Sequence, residues 1–256
     1  MELRNGDAVL SAGYKRVQAI ITQSLNKSIT IFAPIMTNTT GAIEFSIQGE
    51  QLLLLPQKAI YWADQQALMV ADVHLGKVGH FRKAGIAVPR DMEQNDLAVL
   101  SDLIDEHQPK HIIFLGDLFH SDMNADWDWF ALWRRHNKHI KITLIKGNHD
   151  IIHDRHYIDL DVALYQELAV GPFLLLHAPV SEEKLDAAEG YVLCGHIHPG
   201  VLLTGRARQS VTIPCFAFGR RQGILPSFGR FTGRVALKHA PDERIFGVLK
   251  DKVLPL

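Results

Sequence analysis

Five short polar clusters, each set directly behind an apolar run, constrain this chain more than any other feature. Asp72-Val73-His74 follows Leu68-Met69-Val70-Ala71, Gly116-Asp117 follows Ile112–Leu115, and Gly147-Asn148-His149-Asp150 follows Ile142–Lys146. His177 follows Phe173–Leu176, and Gly195-His196-Ile197-His198 follows Tyr191–Cys194. Short apolar runs closed by turn residues read as buried strands. A sheet holds its strands rigidly, so side chains just past the carboxyl ends are well placed to build a ligand site. The chain therefore has to fold so that several strand ends meet.

The rest of the sequence supplies the framework for such a meeting. Ile43–Ile47, Gln51–Leu55, Ala59–Trp62 and Ala67–Ala71 are apolar or alternating runs broken by Gly, Pro and polar turns, and are predicted as strands. His111–Leu115, Lys141–Ile145, Phe173–Leu176, Tyr191–Cys194, Val211–Phe216 and Arg244–Leu249 follow as further strands. The spacing of Leu97, Leu100, Leu103 and Ile104, with Pro89 ahead of them, predicts a helix over Asp91–His107. Asp126–Lys138, carrying Trp127, Phe130, Leu132 and Trp133, reads as another. Alternation of strand and helix over 90–150, then mainly strands after 170, predicts an α/β sandwich with two mixed sheets between helices. Residues 1–40 lack strong periodicity and the pattern of a secretory signal. They are expected to form an extension, either unordered or untranslated with Met36 as the start, ahead of one domain over 41–256.

The clusters contain the donors Asp72, His74, Asp117, Asn148, His177, His196 and His198. These are oxygen and imidazole ligands without a thiolate. Such a set suits manganese, iron, zinc or magnesium rather than a structural zinc cage of cysteines. In an extended segment, side chains at i and i+2 point the same way, so both residues of Asp-x-His and of His-x-His are expected to reach one ion region. Gly116, Gly147 and Gly195 allow sharp turns and close approach. The donors are too many for one tetrahedral ion, and two ions sharing a carboxylate is the simplest arrangement. Taken alone, His177 reads as an ordinary hydrogen-bonded residue; its place in the ordered set makes it a ligand. His120 fits the cleft and an ordinary polar position equally well. Trp127, Trp129 and Trp133 are expected in the core and its flank rather than as a base-stacking platform.

In this order and spacing the clusters resemble the metallophosphoesterases, also called calcineurin-like phosphoesterases, over roughly 43–220. Within that superfamily, Ala71–Lys77, Arg82–Pro89, Gly116–Ser121, Gly195–Pro199 and Pro214-Cys215-Phe216 are similar to the ligase-associated DNA damage response endonucleases. The resemblance implies a four-layer α/β/β/α sandwich with two mixed β-sheets. It implies a metal-dependent phosphoric ester hydrolase, a phosphodiesterase or endonuclease acting on DNA. The alternative substrate class is a small phosphoester: a nucleotide, a cyclic nucleotide or a pyrophosphate. Asp72, His74 and His198 would bind one divalent ion, and Asn148, His177 and His196 the other, with Asp117 bridging. Two manganese ions are the expected occupants, with iron, zinc or magnesium as other candidates. His149 would face the scissile phosphate, and Asp150 would orient His149. A DNA repair role, with a DNA ligase and a helicase as functional neighbours, follows from the resemblance alone. The complete donor set argues against a scaffold whose ligands have decayed.

Charge narrows the partners. A net charge of −1, from 27 basic and 28 acidic residues, excludes a polycationic nucleic-acid coat, so any contact with DNA has to be local. Arg206, Arg208, Arg220, Arg221, Arg230, Arg234 and Lys238 run through 201–240 without an acidic residue. Lys77, Arg82, Lys83 and Arg90 follow the first donor cluster. Both groups suit either phosphates flanking a cleft or a solvated face. Cys194 and Cys215 are the only cysteines, which excludes a disulfide framework and predicts a reducing, cytoplasmic setting. No apolar run approaches the ~18 residues of a membrane span. The strand-rich C-terminal part is a candidate oligomer surface.

Overall fold

The computed structural model describes residues 41–77, 95–205, 209–230, 232–238, 240 and 242–256. The predicted extension 1–40, the start of the helix at Asp91, and the basic residues Arg82, Lys83, Arg90, Arg206 and Arg208 lie outside the described residues.

The first sheet runs in sequence order: β1 (Ile43–Ile47), β2 (Glu50–Leu54), β3 (Ile60–Trp62), β4 (Ala67–Val70), β5 (His111–Leu115), β6 (Lys141–Ile145) and β7 (Val162–Tyr165). The pairings from β1 to β4 are antiparallel, and those from β4 to β7 are parallel. Burial follows from this. The edge strand β1 alternates buried and exposed residues, whereas β4 is buried throughout and β5 and β6 are buried after their first residue. Parallel strands need cover on both faces, which is why Ala67–Val70 and Ile112–Leu115 read as continuous apolar runs.

The second sheet is ordered β14 (Val235–Ala236), β11 (Pro199–Thr204), β12 (Ser210–Phe218), β13 (Gln222–Ile224), β10 (Tyr191–Cys194), β9 (Phe173–Leu175) and β8 (Leu168–Val170). β15 (Arg244–Val248) also pairs with β12, and β16 (Val253–Pro255) pairs with β15. It too is mixed: β10 runs parallel to β9 and β13, while β12 runs antiparallel to β11, β13 and β15.

Two apolar layers fix the order of the sandwich. Met69, Ile113, Leu115 and Ile145 of the first sheet pack with Phe173, Leu175, Leu193, Phe216 and Phe218 of the second. On the outer face of the first sheet, Leu68, Val70, Ile112, Phe114, Ile142 and Leu144 pack under three helices. These are α1 (Asn95–His107), α2 (Ala125–His136) and α3 (Asp154–Asp159). The Asn124 side chain accepts from the Asp126 N–H to cap α2. The outer face of the second sheet carries α4 (Glu182–Ala187), whose Leu185 packs on Val192 and Cys194. The α/β/β/α order is as expected, although this fourth layer is a single short helix among the described residues.

Strand starts and ends agree with the sequence reading to within one or two residues where a run is apolar and buried. Eight elements are not anticipated by it: β7, β8, β11, β13, β14, β16, α3 and α4. Trp127 and Trp133 are core residues of α2, and Trp129 is its exposed flank.

Candidate active site

The carboxyl ends of β4, β5, β6, β9 and β10 converge, and the donors lie in the loops that leave them. The loops after β4 and β5 are laced together: Asp72 N–H donates to the Gly116 carbonyl (3.1 Å), His74 N–H to that of Asp117 (2.9 Å), and Leu75 N–H to that of Leu118 (2.9 Å). Asp72 and His74 reach one centre, as expected, but not from an extended segment, and His196 and His198 reach different groups. All four, and Asp117, have left-handed backbone, with φ of 54°, 52°, 73°, 49° and 50° for Asp72, His74, His196, His198 and Asp117. Such conformations are rare for residues with a Cβ and persist only where the surroundings hold them. The donors after β4, β5 and β10 converge because those loops coil at the strand ends, not because the strands continue.

Two groups form. Asp72, His74 and His198 offer atoms close enough to share one ion, and so do Asp117, His177 and His196. Asp117 stands between them. Its Oδ2 lies 3.6 Å from His74 Nε2, and its Oδ1 lies 3.5 Å from His177 Nε2. Asn148 joins the second group, its Oδ1 3.0 Å from His177 Nε2. His196 Nδ1 lies 3.0 Å from the same nitrogen. Gly116 has φ of +81° and lies against the His177 ring, where any side chain would overlap it. Gly147 and Gly195 press in the same way on the Asp117 and Asp72 carboxylates.

The chemistry of this arrangement fits cations. His177 Nδ1 lies 3.1 Å from the Leu115 carbonyl, and His198 Nδ1 lies 3.2 Å from that of Gly233. A carbonyl only accepts, so each Nδ1 carries the proton, and in the neutral ring Nε2 presents a lone pair to the centre. His198 Nε2, on the side of the ring opposite the Nδ1 that bonds Gly233, faces Asp72 Oδ1 at 3.5 Å. Asp72 Oδ1 is buried without a hydrogen-bond partner. An orphaned buried carboxylate oxygen among imidazole lone pairs calls for a positive ion. Burial, followed by the nearby Lys77 and the neighbouring histidines, drives the His74 imidazole far below its ordinary pKa, leaving it in the neutral ligand form.

His149 is half-buried, and its N–H donates to Asp117 Oδ1 at 2.9 Å. Its ring stacks on His120 with centroids 5.0 Å apart, and His120 Nδ1 lies 3.3 Å from His74 Nδ1. His120 therefore lines the cleft. Asp150 does not orient His149. Its two oxygens accept from the backbone N–H groups of Phe119 (3.1 Å) and Gly147 (2.9 Å), so it clamps the β5 and β6 loops together. Burial raises its carboxyl to about 6, against those two hydrogen bonds.

The basic run divides. Arg230 and Arg234 flank the first group, because Gly229 N–H donates to the Asp72 carbonyl and Gly233 meets His198. Arg220 and Arg221 lie in the turn after β12, beside the amino end of β10, where the Arg221 carbonyl accepts from Val192 N–H. They are at the other end of the sheet from the donors, because β13, which they precede, runs parallel to β10. Lys77 is within electrostatic reach of Asp117 and Asp72.

Ser227 is a site residue that the sequence reading misses. Its hydroxyl donates to the Asp72 carbonyl at 2.8 Å across 155 positions of chain, and nothing local in the sequence marks it.

Among solved structures the chain is similar to Pseudomonas putida nuclease MPE. The two are 33% identical, with 84% of this chain and 100% of that one covered and a TM-score of 0.70. More distant matches are Yfce, a phosphoesterase from E. coli (12% identity, 73% and 95% covered, TM-score 0.38), and a predicted phosphoesterase from Streptococcus pneumoniae TIGR4 (10%, 74% and 95%, 0.33). No protein-family model and no curated protein matches the chain.

Proposed function

The chain belongs to the metallophosphoesterase superfamily, and from that premise we propose that it is a binuclear nuclease hydrolysing phosphodiester bonds in DNA. The observation that carries this reading is Asp117, whose two oxygens face a histidine of each donor group. Asp72, His74 and His198 would hold one ion and Asn148, His177 and His196 the other, with Asp117 shared. When bound, two divalent cations withdraw charge from phosphate oxygens and acidify water from a pKa of about 15.7 toward about 7. We take manganese as the occupant.

The remaining work falls to the chain itself. His149, anchored through its backbone on Asp117, donates a proton to the leaving alkoxide. His120 stacks on that ring and limits its rotation. Asp150 keeps the two loops in register and so maintains the distance between His149 and Asp117. Lys77, Arg230 and Arg234 meet the phosphates on either side of the scissile one, a local electrostatic footprint that the near-zero net charge permits. The relative matched over all of its own length and 84% of this chain, at 33% identity, is a nuclease, which favours a polynucleotide over a small ester.

The test is a substrate panel run on chelated protein with Mn2+ added back. Cleavage of single-stranded or plasmid DNA at rates above those for nucleotides and cyclic nucleotides is the expected result. Turnover of the small esters alone removes DNA from the reading. Manganese-loaded protein that also leaves bis-p-nitrophenyl phosphate intact removes the hydrolase.

A further inference from the structure

Lys58 lies in the turn between β2 and β3, outside every donor cluster and 170 positions from Phe228. Its ammonium donates to the carbonyls of Phe228 (2.5 Å) and Gly229 (3.2 Å). Those residues belong to a short strap, 227–229, laid along the backbone of Ala71 and Asp72. Phe228 N–H donates to the Ala71 carbonyl (2.8 Å), while Gly229 N–H (3.1 Å) and Ser227 Oγ (2.8 Å) both donate to the Asp72 carbonyl. Gly229 comes so close that a side chain there would overlap the Val73 carbonyl.

One peptide unit links the ends of this arrangement. The Phe228–Gly229 peptide receives the Lys58 cation on its oxygen and donates its own N–H to Asp72. A charge on the oxygen polarises the unit and strengthens the bond made by the N–H. Asp72 needs that support, because its φ of +54° is held only by its surroundings. Burial lowers the Lys58 ammonium to about 8, opposed by Asp96 and assisted by Arg234 and Arg230, so it is charged at neutral pH.

We propose that Lys58 is a positioning residue for the metal centre, holding Asp72 through the 227–229 strap in the left-handed conformation that aims its carboxylate at His198. The inference rests on the reading of Asp72 as a metal ligand. Lys58 itself touches none of the donors.

The experiment is Mn2+ titration by calorimetry of wild-type, Lys58→Met, Lys58→Arg and Ser227→Ala proteins, paired with thermal unfolding at each Mn2+ concentration. Lys58→Met should weaken Mn2+ binding about 10- to 100-fold, the usual size for residues that orient a ligand. Its kcat at saturating Mn2+ should stay near wild type, and Lys58→Arg should regain part of the affinity. Ser227→Ala, a milder change on the same Asp72 carbonyl, should weaken binding in the same direction and keeps the test open if Lys58→Met does not fold. A folded Lys58→Met protein with lower Tm but wild-type Mn2+ affinity overturns the proposal, as does unchanged affinity in Ser227→Ala. Wild-type protein that binds no Mn2+ overturns the metal centre with it, and that result appears before any variant is compared.

Discussion

Asp72 and His196, 124 positions apart in the chain, meet where the two sheets come together: the His196 N–H donates to Asp72 Oδ2 at 2.8 Å. One carboxylate oxygen is thereby spent on holding the loop after β10, and the other, Oδ1, is left unpartnered beside His198. Asp72→Asn separates these duties. The amide oxygen can still accept from His196, while the amide nitrogen donates to the lone pair that Oδ1 opposes. The metal-free variant should be at least as stable as wild type, since an unsatisfied buried acceptor costs about 1–3 kcal/mol. The rise in Tm produced by Mn2+ should shrink, because the ion at Asp72, His74 and His198 is lost while the group of Asp117, His177 and His196 is intact. A variant that keeps the full wild-type rise removes Asp72 from the ligand set.

Asp150 and His149 are neighbours with separate tasks. Asp150→Ala leaves the Gly147 and Phe119 N–H groups without their acceptor and should cost about 2–4 kcal/mol in urea unfolding. Asp150→Asn, with one acceptor oxygen, should fall between. His149→Ala should keep its stability and its Mn2+ binding while losing about 10²–10⁴-fold in rate, the range for acid–base groups. Equal loss of stability in both alanine variants would join the two tasks again.

These two residues also mark how far a linear reading reaches. The strands under the donors are legible because β4, β5, β6 and β10 are buried on both faces and so carry unbroken apolar runs. The donors are legible because each stands at the end of such a run. β8, with only partly buried and exposed residues, has no period to read, and β11 opens at Pro199, which resembles a turn. α3 has six residues and one buried side chain, Tyr157. The role of Asp150 depends on two backbone N–H groups, which every sequence carries and none displays. The left-handed backbone at His74 or His198 belongs to non-glycine residues and has no signature in composition. Ser227 and Lys58 act across long stretches of chain, where only the fold reveals the partner.

Acid should destabilise the protein through a histidine away from the cleft. His111, at the start of β5, bonds Thr143 Oγ1 at 2.8 Å, and burial, with Lys141 adding, lowers its pKa to about 4 from an ordinary 6.5. The unfolded chain therefore binds a proton between these values that the folded protein refuses. Stability from this group is complete above pH 6.5 and is lost as pH falls toward 4. His111→Gln keeps a hydrogen-bonding group but does not titrate. Its unfolding free energy should depend less steeply on pH across that window, measured by urea denaturation at each pH. An unchanged slope assigns the acid sensitivity elsewhere.

Two pairs of arginines in one acid-free run should behave differently. Arg230 and Arg234 lie on the segment that touches Asp72 and His198, whereas Arg220 and Arg221 lie at the opposite end of the second sheet. If phosphates beside the scissile bond are bound by the first pair, Arg230→Ala with Arg234→Ala should raise the KM for DNA. The slope of log K against log salt should fall by about 0.7–0.9 for each phosphate left without its arginine. Hydrolysis of bis-p-nitrophenyl phosphate, which has no flanking phosphates, should not change. Arg220→Ala with Arg221→Ala should alter neither substrate, since those side chains are distant from the donors. Equal losses from the two pairs would make the whole basic run a general attraction for DNA. Loss confined to the small diester would place Arg230 and Arg234 in the reaction itself rather than along the strand.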